Sequence, residues 1–197
     1  MNRLSRDFYE RDTLVVAQEL LGKNLVFLDN HKDEIIVKIT DVEAYKGIND
    51  KACHTYGGKR TPRTEVMWGE AGHIYIYIIY GMYYCLNIVT ESINDPCAVL
   101  IRGVVPVKNI TKMSLNRYNK AYEELNNYQI KNFSNGPGKL CKALGLDLTH
   151  NGMDLLSPQL YIYDDGKHDN IDIKKSKRIN IDYAEEAADY LWRFYID

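Results

Sequence analysis

The stretch Tyr75-Ile76-Tyr77-Ile78-Ile79-Tyr80-Gly81-Met82-Tyr83-Tyr84 decides how this chain is read. Two runs of β-branched and aromatic residues meet at one glycine, the pattern of a β-hairpin with an aromatic at its tip. Period-two alternation puts Tyr75 and Tyr77 on one face of the incoming strand, with Tyr80 opposite them or in the turn. A phenol ring held at a hairpin tip packs against a partner or wedges between stacked nucleic-acid bases. The chain has 16 tyrosines, so most belong to half-buried packing, and Tyr75 is assigned there.

Working outward, strands are expected at Ile74–Tyr80, Tyr83–Thr90 and Cys97–Val107. Leu25–Leu28 and Glu34–Tyr45 form two more around a polar turn at Asp29–Asp33. Asp12 caps a helix carrying Leu14, Val15, Leu20 and Leu21, with Gly22 as its stop. Residues 47–72, rich in glycine and charge, read as a long loop, and such loops are usually functional or disordered. Residues 108–131 are polar and partly helical. Asn135-Gly136-Pro137-Gly138 turns into a helix over Lys139–Leu144. Leu155–Tyr163 and Arg178–Ile181 are read as late strands. Tyr183–Tyr195 carries a short helical pattern anchored by Trp192 and Phe194. No repeat or composition break interrupts residues 1–197, so one domain is expected. Its class is α+β: a curved, mainly antiparallel sheet with a protruding hairpin, surrounded by helices.

At 197 residues the chain can bury a full-sized core. No apolar run approaches the roughly 20 residues of a membrane helix, and Met1–Asp7 has no apolar leader core. A cytoplasmic protein without membrane contact is expected. Cys53, Cys85, Cys97 and Cys141 form no Cys-x-x-Cys pair and read as buried free thiols. The histidines show no metal-ligand spacing, so neither a metal nor another cofactor is expected. A net charge of −2 weighs against a strongly basic nucleic-acid binder, but a local basic face can still steer a phosphate backbone. Candidates are Lys59, Arg60 and Arg63; Lys139 and Lys142; and Lys174, Lys175, Lys177 and Arg178. Each cluster taken alone reads as solvated surface. Lys139, behind a Gly-Pro-Gly turn, is as well placed for a phosphate as for solvent.

The strand at Glu34–Tyr45 carries a change of character. Its odd positions Ile35, Val37, Ile39, Asp41, Glu43 and Tyr45 turn from aliphatic to acidic and aromatic. Asp41 and Glu43 would therefore emerge at the end of the core. Partly dry surroundings push a carboxyl pKa upward unless a cation or donor offsets it, which is how a general base is made. An edge salt bridge is the competing reading. The i, i+2 carboxylates also suggest a glycosidase pair, although spacing in sequence does not set their separation. No serine elbow is present, and Gly57-Gly58-Lys59 lacks phosphate-loop spacing.

Val42-Glu43-Ala44-Tyr45, His54, Gly57-Gly58, Thr61-Pro62-Arg63 and Met67 resemble the alkyladenine (3-methyladenine) DNA glycosylases. So do Tyr75 to Tyr83, Cys85, Asn87, Val99-Leu100-Ile101-Arg102, Asn135 to Cys141 and Trp192-Arg193-Phe194-Tyr195. The motifs run in order over nearly the whole chain and together are highly specific. The resemblance implies an enzyme that flips alkylated or deaminated purines out of duplex DNA and hydrolyses their N-glycosidic bond. In that reading Glu43 activates water and Arg102 helps to hold it, with the backbone at Ile181 completing the water site. Tyr45 and Tyr77 sandwich the base, His54 lines the pocket, and Asn87 and Leu100 limit which purines enter. Tyr80 is the wedge. Met67, Met82 and Tyr83 form the surrounding DNA surface, with Thr61 and Lys59 on phosphates. The partner is double-stranded DNA containing damaged purines, and the protein is expected to be a monomer. Against the family's pattern, residues 116–132, with Glu123 and Glu124, are less basic than a DNA-facing element and read either as an excursion away from the duplex or as a feature that weakens binding. Two other readings stand beside this one: a lesion-binding protein without catalysis, which has no need of Glu43, and a nucleoside glycosidase, which would leave Tyr80 idle.

Overall fold

The computed structural model describes residues 2–29, 31–166 and 171–197. Strand β1 (Asn2–Arg3) and the helical turn α1 (Arg6–Tyr9) precede helix α2 (Thr13–Leu20). Asp12 caps α2 as expected, its carboxylate accepting from the Leu14 and Val15 N–H groups. Strands β2 (Asn24–Leu28) and β3 (Glu34–Tyr45) follow; Asn30, in the turn between them, lies outside the described residues. The long loop of residues 47–72 folds as three short 3-10 turns.

The hairpin is β4 (Ile74–Ile79) and β5 (Tyr83–Thr90), and β6 (Cys97–Lys108) pairs with it. Helices α3 (Ile110–Tyr118), α4 (Asn127–Lys131) and α5 (Pro137–Leu144) come next, then β7 (Leu160–Asp164), β8 (Lys174–Ser176) and β9 (Arg193–Tyr195). One antiparallel sheet unites the strands in the order β1-β7-β2-β3-β6-β5-β4, with β9 pairing both β3 and β8. Helices α2 and α5 cover its inner face. Val16, Ala17 and Leu20 from α2 and Leu140, Cys141 and Leu144 from α5 join Ile35, Val37, Ile74, Ile76, Leu86 and Ile88 in the main core. The fold is α+β.

One late expectation is corrected: Arg178–Ile181 is not a strand; the strand lies earlier, at Lys174–Ser176. The short helical pattern in residues 183–195 is a kinked 3-10 segment, Asp182–Asp189, and β9 follows it. That last strand forms because an edge is empty: β2 pairs β3 only as far as Lys38, so β9 fills the edge at Asp41–Glu43.

The face reading of β3 also changes. Ile35, Val37 and Ile39 do face the core, but beyond a bulge Val42 and Ala44 take that role. In the β3–β6 register Ile39 pairs Val104, Asp41 pairs Gly103 and Val42 pairs Ile101, which leaves Thr40 and Arg102 without partners. One unpaired residue shifts the period-two phase and sends Asp41, Glu43 and Tyr45 to the opposite side.

Candidate active site

Glu43 stands just past this bulge and has no solvent exposure. Its Oε1 accepts the Ile179 N–H at 2.8 Å, and its Oε2 accepts the Tyr45 hydroxyl at 2.8 Å. Arg102, the residue that the bulge leaves over on β6, brings Nη1 to 3.3 Å from Oε1. Burial pushes the Glu43 pKa up, and Arg102, the Ile179 N–H and the Tyr45 hydroxyl offset this only in part. Asp41 is spoken for: Arg193 grips it through Nε at 3.0 Å and Nη2 at 2.7 Å. The two carboxylates are thus distinct, one clamped by an arginine fork and one dry and basic. That combination suits a single general base.

Glu43's neighbours line a cleft of about 1060 Å3. Tyr45, His54, Tyr77, Asn87, Leu100 and Arg102 all reach it, so the predicted catalytic and pocket residues converge. The His54 and Tyr77 ring centroids lie 4.6 Å apart, edge to face. His54 Nδ1 is 3.0 Å from the Tyr75 hydroxyl, and burial, with Arg63 nearby, lowers its pKa to about 4. The imidazole is therefore neutral at physiological pH. Asn87 faces Leu100 across β5 and β6 and spends its amide on the Tyr75 and Cys85 carbonyls. Two acceptors thereby fix the orientation of its carboxamide at the cleft wall. Tyr75 itself is buried packing, as expected.

The hairpin tip is built to expose its ring. Tyr80 and Gly81 both take left-handed backbone, φ 55° and 68°, and the Met82 N–H closes the turn onto the Ile79 carbonyl at 3.3 Å. Tyr80 is 73% exposed, and Met82 and Tyr83 flank it on the surface. The α5 N-terminus abuts the hairpin so closely that a Cβ on Gly138 would stand 2.8 Å from the Tyr83 Cβ.

One expected residue sits elsewhere: Met67 is not on the outer surface but 2% exposed, packed with Tyr75 and Cys53 against the cleft. Ile181 lines the cleft, and two residues before it the Ile179 N–H donates to Glu43. Lys59 and Thr61 are exposed and border an adjoining hollow of about 540 Å3, shared with His54 and Arg63.

The cations sort by location. Of the basic clusters in the sequence, Lys174, Lys177 and Arg178 are spent on Asp197, Asp189 and Asp50, and Arg60 on Glu65. Arg63, Arg117, Lys139 and Lys142 line the cleft, and among the described residues none of them has a carboxylate partner. From residues 116–132, Arg117, Tyr118 and Tyr128 line the cleft. Arg117 and Tyr128 are not among the residues that the sequence singles out, because no motif marks either of them. Among the described residues no group of three His, Cys, Asp or Glu side chains could hold a metal ion, and no helix is long and apolar enough to cross a membrane.

Comparison with known proteins bears on this geometry directly. The family model for methylpurine-DNA glycosylases matches residues 7–197. A protein of Clostridium acetobutylicum named "Putative 3-methyladenine DNA glycosylase" is 53% identical over 98% of this chain and 94% of its own length. Relatives of the same name are 55% identical in Clostridium perfringens (98% and 95% covered) and 52% identical in Bacillus cereus (96% and 93%). With a family model matched from Asp7 to Asp197 and relatives more than half identical over nearly the whole chain, the chain belongs to the methylpurine-DNA glycosylase family.

Proposed function

We propose that this DNA glycosylase flips an alkylated or deaminated purine from duplex DNA into the Tyr45–Tyr77–His54 pocket and hydrolyses its N-glycosidic bond with water activated by Glu43. The observation that carries this reading is the buried Glu43, held by the Ile179 N–H, the Tyr45 hydroxyl and Arg102 at the edge of an aromatic cleft. A cationic alkylated purine is already a good leaving group. The C1′–N bond breaks with its electron pair passing to the purine, the water oxygen bonds C1′, and the water proton goes to Glu43. No side chain becomes attached to the sugar, so the product is an abasic site and the enzyme is monofunctional.

Tyr80 supports a duplex substrate over a free nucleoside, because an exposed ring at a strained tip has no role in a nucleoside pocket. Base–aromatic stacking contributes about 1–3 kcal/mol per base, against a few kcal/mol for unstacking that is lowest for a damaged nucleotide. Tyr45 and Tyr77 thus offset extrusion of a weakened base and fall short for a sound one. Asn87 and Leu100 crowd one edge of the base and restrict which purines fit. Met82, Tyr83, Thr61 and Lys59 contact the surrounding DNA.

Base release from duplexes with single defined lesions, run beside Glu43→Gln, tests the mechanism. The variant is expected to lose release while binding lesion DNA within several-fold of the parent. Turnover at the parent rate would refute Glu43 as the base.

A further inference from the structure

Arg178 immediately precedes the Ile179 N–H that holds Glu43, and it is no surface cation. Its side chain and that of Asp50 are both fully buried, paired in a bidentate fork at 2.5 and 2.8 Å. Nη1 also donates to the Ala44 carbonyl at 2.9 Å and Nη2 to the Ala187 carbonyl at 3.1 Å. The guanidinium carbon lies 4.7 Å from the Tyr45 ring centroid and 5.1 Å from that of Trp192. One side chain therefore ties together the loop after β3, the strand residue between Glu43 and Tyr45, the 3-10 segment and the approach to β9.

A buried ion pair is weak evidence for stability, since apolar residues of similar volume often serve as well. A planar fork instead supplies several hydrogen bonds in fixed mutual geometry, which neither lysine nor an apolar group reproduces. We propose that Arg178 is a positioning residue for the hydrolytic step. It holds the Tyr45 ring as a pocket wall and the Ile179 N–H on Glu43, so that the base site and the water site keep one geometry. Arg178 does not line the cleft and acts through Tyr45 and Ile179, which do. The inference rests on Glu43 being the base, as proposed above.

The test uses Arg178→Lys and Asp50→Asn in the full chain, with a duplex carrying one hypoxanthine or one ethenoadenine, whichever the parent releases faster. The single-turnover rate constant at saturating enzyme is expected to fall about 10- to 100-fold, as for other outer-shell partners and small misplacements. Affinity for the lesion duplex should change only several-fold. Loosening the Ile179 N–H removes one influence that lowers the Glu43 pKa, so the acid limb of the rate profile should move to higher pH. A purely structural role would lower melting temperature and reaction amplitude but leave the rate constant and the acid limb at parent values, because only folded molecules react. That result overturns the proposal. A carbon-NMR titration of the Glu43 carboxyl needs no substrate and must shift upward in Arg178→Lys, which keeps the positive charge; an unshifted titration in that variant also overturns it. Absence of base release by the parent, with the titration shifted, would instead count against the glycosylase mechanism and leave the positioning role standing.

Discussion

At Glu43 a carboxylate with no exposure keeps three hydrogen-bonding or charged partners and still has a raised pKa. The folded state therefore holds its proton to higher pH than the unfolded chain does. Linkage then gives a definite sign: stability falls as pH rises from the unfolded carboxyl value, 4.5, through the raised folded value. Glu43→Gln removes that titration. Its melting temperature relative to the parent should climb as pH increases across this window, and at neutral pH the inactive variant should be at least as stable as the active parent. Thermal melts of both proteins from pH 4 to pH 8 check this; a variant that is progressively less stable at higher pH contradicts it. His54 behaves in the opposite sense. Its pKa of about 4 keeps the ring neutral in the folded protein, so Nδ1 can accept from Tyr75 and the ring adds no positive charge to the cleft.

The hairpin shows the same exchange of stability for function at the scale of an element. Tyr80 occupies a left-handed conformation that glycine adopts freely and a side chain does not, at a cost of roughly 1–2 kcal/mol. Tyr80→Gly is expected to leave the fold as stable or more so. It should also cut base excision from a stable duplex sharply while sparing excision at a mismatch, where unstacking is easier. Equal losses on both substrates would remove the wedge role. The β3–β6 bulge is the second element on which the site depends. Gly103 lets the strands approach there, since a Cβ would meet the Asp41 Cβ at 3.0 Å. The bulge turns Glu43 and Tyr45 out of the core while Arg102 comes across to meet them.

Across the whole molecule, a net charge of −2 conceals an uneven distribution. Cations remote from the cleft are largely neutralised by carboxylates, whereas among the described residues Arg63, Arg117, Lys139 and Lys142 at the cleft have no carboxylate partner. Burial, with Arg117 nearby, lowers the Lys139 pKa, as expected for a cation awaiting an anion. Duplex binding should weaken steeply with salt as phosphate contacts release counterions. Arg117→Gln and Lys139→Gln should each flatten the log–log slope by about 1. A parent response that is flat from low to moderate salt would argue against a duplex partner.

Local sequence determined a good deal. The hairpin, its tip, the Asp12 cap and the proline-started helix follow from residues one to four positions apart, and these interactions form wherever such residues occur. On its own residues Glu43 reads equally as an edge salt bridge. It is the resemblance to a family, carried by ordered motifs along the chain, that singles out Glu43, Tyr45, Tyr77 and Arg102, whose side chains the fold then brings around one cleft. Tertiary structure alone decided three matters. A bulge changed the phase of β3, which alternation in one strand cannot reveal because it depends on the register with β6. Pairing with a vacant edge made Arg193–Tyr195 a strand behind the short helical segment. The Ile179 N–H on Glu43 and the Asp50–Arg178 pair join residues 136 and 128 positions apart. In the sequence Arg178 is one more member of a basic cluster. Only packing removes it from water and sets it behind the pocket, because burial is a property of everything that surrounds a residue and not of its neighbours along the chain.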